Sequence, residues 1–73
     1  MLDTTTRKLL SACWKSASRA VGGACGTVGS LARALALDEA VVAEGVVALI
    51  GLGYLGRDRH GVVWVTAAGA DIV

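Results

Sequence analysis

Arg57-Asp58-Arg59-His60 places three basic side chains within four positions, the tightest cationic run in the sequence. Arginine offers planar, forked N–H donors that match paired phosphate oxygens. On a duplex, contacts of this kind hold register and orientation and carry no sequence information. Arg33, expected on the outer side of a short helix, is the fourth side chain able to meet the same polyanion. A solvated loop tip would also be polar. That simpler reading suits Asp58 and His60, while Arg57 and Arg59 fit either. Lys8, Lys15 and Arg19 read as the solvated face of a first helix, with a place along a phosphate backbone as the alternative.

Catalytic chemistry finds no foothold. His60 is the lone histidine and has no evident partner for proton transfer. Cys13 and Cys25 match no zinc spacing and are too few for a disulfide scaffold, so they read as two small buried apolar groups. Asp38 and Glu39 are adjacent and suit a helix cap followed by a first-turn acid. Gly51-Leu52-Gly53 and Gly22-Gly23 lack the strand and helix context of a phosphate loop. The expectation is a protein that is not an enzyme and needs neither metal nor cofactor.

Those residues must be positioned by elements that the apolar spacing outlines. Asp3 and Thr4 to Thr6 supply capping chemistry for a first helix spanning about 4–21. Leu9, Leu10, Cys13, Trp14, Ala17, Ala20 and Val21 recur there at steps of three and four, and Gly22-Gly23 is the expected stop. An extended stretch over 24–28 leads to a second helix over 29–36, with Leu31, Ala32 and Leu35 facing inward. Leu37 makes a tight connection, and Asp38 caps a third helix running to about Leu52. Val42, Val46 and Leu49 are its core stripe, and Gly53 ends it. From Tyr54 the period falls to two, and the runs 54–57 and 62–65 flank a linker whose closing Gly61 suits a hairpin turn. Residues 66–73 form a short stub.

Composition sets the limits. A chain of 73 residues reads as one domain and one complete small gene product. With 55% hydrophobic residues and no phenylalanine, its core must be built from Val, Leu, Ile and Ala. A net charge of +1 gives no bulk attraction for nucleic acid, so any such binding depends on local charge placement. The apolar stretch from Ala40 to Gly56 lies at the short limit of a bilayer span. It also holds Glu44 and four glycines, which argues against membrane insertion. Met1 to Thr6 carries an acid and no basic leader, which makes the cytoplasm the expected location.

The string from Thr27 to Gly69 resembles winged-helix regulators, most closely those of the MarR and PadR type. Ala32, Ala36 and Val42 fall where the helix-turn-helix takes a small contact residue, a turn residue and a buried branched aliphatic. Leu49-Ile50-Gly51-Leu52-Gly53-Tyr54-Leu55 resembles the passage from recognition helix to wing. Thr66-Ala67-Ala68-Gly69 is similar to the threonine and glycine that follow the wing. The resemblance implies an α+β winged helix-turn-helix domain over residues 1–73, made of three helices and a C-terminal β-hairpin wing. Its helix-turn-helix would cover about 29–52 and its wing about 54–66. It further implies a small DNA-binding transcriptional regulator acting as a homodimer, with Arg33, Arg57, Arg59 and His60 on duplex DNA.

The third helix departs from that pattern. Glu39, Ala40, Ala43, Glu44, Val47 and Ala48 stand where such regulators carry groups that read base edges, and residues 38–48 include no base, amide or hydroxyl. A second expected departure is length: such families commonly dimerise through helices flanking the winged domain, and seven residues follow Thr66 here. Val41, Val47, Ile50 and Leu52 exceed one core stripe, so they are expected to form an exposed apolar patch. Val47, Ile50 and Leu52, with Trp14, are the candidate protein interface, for self-association or for a protein partner docking on the third helix. Trp14 and Trp64 read as core or dimer-contact aromatics.

Overall fold

The computed structural model describes residues 3–73; Met1 and Leu2, part of the leader reading, lie outside the described residues. The elements are α1 (Thr4–Ser16), β1 (Ala24–Gly26), α2 (Val28–Leu35), α3 (Glu39–Gly51), β2 (Leu55–Arg57), β3 (Val63–Val65) and α4 (Ala67–Ile72). The three strands form one antiparallel sheet in the order β1-β3-β2. The fold is thus a small α+β arrangement of four helices and a three-stranded sheet, where the sequence predicts three helices.

Asp3 opens α1, its carboxylate accepting the Thr6 N–H at 2.7 Å. That hydrogen bond holds the Asp3 carboxyl below its ordinary value. Leu9, Leu10 and Cys13 carry the buried side of the helix. The helix ends at Ser16, five residues before the expected stop at Val21. Ser18 and Arg19 both adopt left-handed backbone, at φ 56° and 57°. The Arg19 N–H closes back onto the Trp14 carbonyl at 2.8 Å, and the Ser18 N–H onto that of Lys15 at 3.0 Å. Gly22-Gly23 serves a different purpose: the Gly22 N–H reaches the Val65 carbonyl at 2.9 Å, tying the return loop to β3. Val21 consequently lies exposed instead of continuing the apolar stripe.

A reciprocal capping box starts α2 one residue ahead of the expected Gly29. Thr27 Oγ1 accepts the Ser30 N–H at 3.3 Å, and Ser30 Oγ accepts the Thr27 N–H at 2.9 Å. Leu31 and Ala32 are buried. Ala36 then turns left-handed (φ 55°, ψ 40°), and the Leu37 N–H bonds the Ala32 carbonyl at 3.0 Å. Asp38 caps α3 by accepting the Ala40 N–H at 2.9 Å. On α3 the expected stripe of Val42, Val46 and Leu49 is buried. Gly45 lets α1 approach closely: a Cβ there would stand 2.7 Å from Leu9 Cδ2. Ile50, expected in the exposed patch, is instead half-buried against the core.

Leu55, Val63 and Val65 present the buried face of the sheet. On the other face Trp64 pairs with Gly56, and its indole lies over the glycine where a side chain would otherwise stand. Helix α4 replaces the expected stub. Thr66 Oγ1 donates to the Gly53 carbonyl at 2.6 Å and accepts the Gly69 N–H at 3.1 Å, joining the end of α3 to the start of α4. Gly69 sits directly against the Tyr54 carbonyl, a place a methyl group would fill. Among the described residues, no helix is long and apolar enough to cross a membrane.

Candidate nucleic-acid interface

The hairpin joining β2 to β3 is shaped by Asp58. Its carboxylate accepts the backbone N–H groups of His60 at 2.8 Å and Val62 at 3.0 Å, while its own N–H donates to the Val62 carbonyl at 3.0 Å. The Gly61 N–H reaches the Asp58 carbonyl at 3.1 Å, in a backbone with φ 82° that favours glycine. A single oxygen of Asp58, Oδ1, therefore takes both of the turn hydrogen bonds from His60 and Val62. The side chains of Arg57, Arg59 and His60 are exposed around it.

This tip faces the start of α2. Arg57, Asp58, Arg59, His60 and Gly61 share an open cleft of about 650 Å³ with Thr27, Val28 and Gly29, the cap and first turn of that helix. A helix N-terminus carries partial positive charge and attracts anions. Three basic side chains and a helix N-terminus thus converge on one depression. Glu39, in the first turn of α3, also lines it. The Glu39 carboxylate comes within 4.0 Å of the position a Gly29 Cβ would take, and with Asp58 it makes two carboxylates that oppose any phosphate entering there.

Arg33, in the last turn of α2, is exposed but lies apart from the hairpin cleft. It borders a shallower depression with Ala32, Ala36 and Leu37. Gly29 and Glu39 line both depressions and separate them. The structure thus groups Arg57, Arg59 and His60 and sets Arg33 beyond Glu39. Sequence reading missed Thr27–Gly29 as the opposite wall of the cleft. The sequence reading places Thr27 and Val28 in the extended stretch before the helix, and only the sheet pairing brings that helix start to the hairpin tip.

The outer face of α3 holds Ala40, Val41, Glu44, Val47 and Ala48, all exposed. Val47 is 58% exposed and Leu52 54%. Among the other candidate interface residues, Ile50 and Trp14 are packed against the core and contribute only their outer edges. This face has no hydrogen-bond donor for a base edge; its methyl groups can meet thymine alone.

Cys13 and Cys25 are buried free thiols, with the Cys25 thiol donating to the Cys13 carbonyl at 3.0 Å. Burial, reinforced by neighbouring Cys25, pushes the Cys13 thiol up to about 12. Among the described residues no cluster of three or more His, Cys, Asp or Glu could hold a metal ion. No protein family matches this chain, and neither a curated protein nor a solved structure does.

Proposed function

We propose that this chain is a winged helix-turn-helix domain and a small transcriptional regulator that binds duplex DNA as a cytoplasmic homodimer, with little direct base readout. The observation that carries the reading is the cleft where Arg57, Arg59 and His60 meet the first turn of α2. The element order supports the fold assignment: a helix, a strand, two helices across a tight turn, then a hairpin whose second strand pairs with the first strand. In this reading the hairpin is the wing. Its arginines hold the phosphate backbone or the minor groove, and the N-terminus of α2 adds a backbone contact. Helix α3 lies toward the major groove but supplies only apolar contact there. Affinity is then mainly electrostatic and depends steeply on salt.

Salt-dependent binding to a mixed-sequence duplex, followed by fluorescence anisotropy, tests this. Each phosphate neutralised contributes about 0.9 to the slope of log K against log salt. Replacing Arg57 and Arg59 by alanine flattens that slope by about 1.8 per protomer and weakens every duplex alike. An unchanged slope removes the hairpin from the interface.

A second reading is favoured by the exposure of Val41, Val47 and Leu52 on and just after α3. There the domain is an interaction module whose third helix docks a protein, or a second copy of the chain, through an apolar and acidic face. Val47→Glu then turns an oligomer into a monomer, or abolishes partner binding, while circular dichroism stays unchanged. A wild type that light scattering shows to be monomeric, and whose protein binding Val47→Glu leaves intact, refutes it.

A further inference from the structure

Between Thr4 and Leu37 the chain carries five of its seven lysines and arginines (Arg7, Lys8, Lys15, Arg19 and Arg33) and no Asp or Glu. The structure collects part of that excess on one side of α1. Lys8 and Lys15, the two lysines of the sequence, stand seven residues apart, close to two full turns and about 10 Å along the helix. Both are exposed, while Leu9, Leu10 and Cys13 occupy the side turned to the core. Ser11 lies between the lysines, half-buried, and Ser16 follows them, exposed. Arg19 is exposed just past the helix end, where its N–H, bonded to the Trp14 carbonyl at 2.8 Å, keeps it beside the last turn. Ser18 and Arg19 hold left-handed backbone there, a steric cost that glycine would avoid.

We propose that this outer face of α1 holds the phosphate backbone of duplex DNA, with Lys8, Lys15 and Arg19 each neutralising a phosphate and Ser11 and Ser16 donating beside them. The inference rests on the reading that the chain binds DNA, and it adds a contact face that does not depend on the hairpin. The hairpin cleft mixes its cations with Asp58 and Glu39, whereas α1 contains no acid. With a net charge of only +1, attraction for a polyanion follows such local excess, and α1 offers the less opposed one. An anionic membrane fits the face poorly. A helix held at a bilayer surface buries its apolar side in lipid, and that side of α1 is already in the core. An acidic protein fits it poorly too, because protein contacts centre on large anchoring side chains and none of the large apolar side chains of α1 is exposed. Charge and hydroxyl donors without apolar anchors are the chemistry of backbone contact.

Because Lys8 and Lys15 are the only lysines, amine acetylation read by mass spectrometry reports on this face directly. The whole chain is acetylated with and without a mixed-sequence duplex at about 0.05 M salt. The duplex slows modification of both lysines by about threefold or more. In anisotropy titrations, joint replacement of Lys8, Lys15 and Arg19 by alanine flattens the slope of log K against log salt by about 2.7 per protomer. Lys8→Arg with Lys15→Arg keeps the slope, since the charge is retained. Circular dichroism confirms that each variant folds. Equal acetylation with and without bound duplex overturns the proposal, as does an unchanged slope in the alanine variant. If Arg57→Ala with Arg59→Ala flattens the slope in that case, the hairpin stands as the interface alone. Protected lysines with an unchanged slope in the hairpin variant support the α1 face and remove the hairpin. No duplex binding at this salt overturns both. Equal protection by vesicles of anionic phospholipid at matched phosphate overturns the duplex as the occupant.

Discussion

Ala36 closes α2 in a left-handed conformation, and replacing it by glycine should stabilise the protein. Its φ of 55° and ψ of 40° place Cβ close to a backbone carbonyl, which costs an L-residue about 1–2 kcal/mol. Glycine removes that cost, while its greater freedom in the unfolded chain takes back about 0.4–1 kcal/mol. The Ala36 side chain is exposed, so no packing is lost. The net gain is about 0.5–1 kcal/mol, or a rise in Tm of roughly 2–8 °C for a domain of this size. Ala34 provides the internal control. It lies two positions earlier, exposed and within the helical span of α2, where glycine costs about 1 kcal/mol relative to alanine. The same chemical change should therefore have opposite signs at positions 34 and 36. Urea unfolding followed by circular dichroism, compared at equal m-value, measures both. If Ala36→Gly destabilises as Ala34→Gly does, the left-handed turn is wrong, and α2 runs on into Leu37.

The buried thiol predicts a pH response. Cys13 titrates near 12 in the folded protein against 9.0 for a free thiol, so folding favours its neutral form. That contribution is fully present below about pH 9 and is lost as pH rises toward about 12. Thermal melts should show a steeper alkaline fall for wild type than for Cys13→Ala, and equal falls would refute the assignment. At neutral pH a thiol-specific reagent should leave the native protein unlabelled and react after denaturation, because only the thiolate attacks; rapid native labelling of Cys13 would show that its site is open. Gly69→Ala forces a methyl against the Tyr54 carbonyl and should cost about 1–3 kcal/mol. Gly51→Ala, in the last turn of α3 with open space around it, should instead stabilise by up to about 1 kcal/mol. Denaturant midpoints for the two variants decide the matter.

Helix α3 was legible because its signals agree. Asp38 is a capping residue, and Val42, Val46 and Leu49 hold one helical stripe that the structure buries. The hairpin was legible through the change of period at Tyr54 and through Gly61, although both strands are a residue shorter than expected. The end of α1 was not legible. Ala17, Ala20 and Val21 continue a helical spacing, and nothing local announces left-handed backbone at Ser18 and Arg19. Helix α4 was missed because a six-residue helix has almost no intrinsic stability. It persists through the Thr66 hydroxyl and the close seat of Gly69 on Tyr54.

For the candidate interface, the sequence by itself determined which charges exist and which element carries each. Two arginines and a histidine cluster at the end of one strand and the linker that follows it, and three acids fall in residues 38–48, because residue type and local period need no distant partner. Only the tertiary structure decided what those charges face. Pairing of β3 with β1 brings the hairpin tip to the first turn of α2 and places Glu39 between Arg33 and the hairpin. Packing of α1 on α3 sets Asp3 and Glu44 across one groove. Such neighbours lie many residues apart along the chain and meet only once the shared core of Leu9, Val46 and Val63 has formed. No local pattern can encode that meeting.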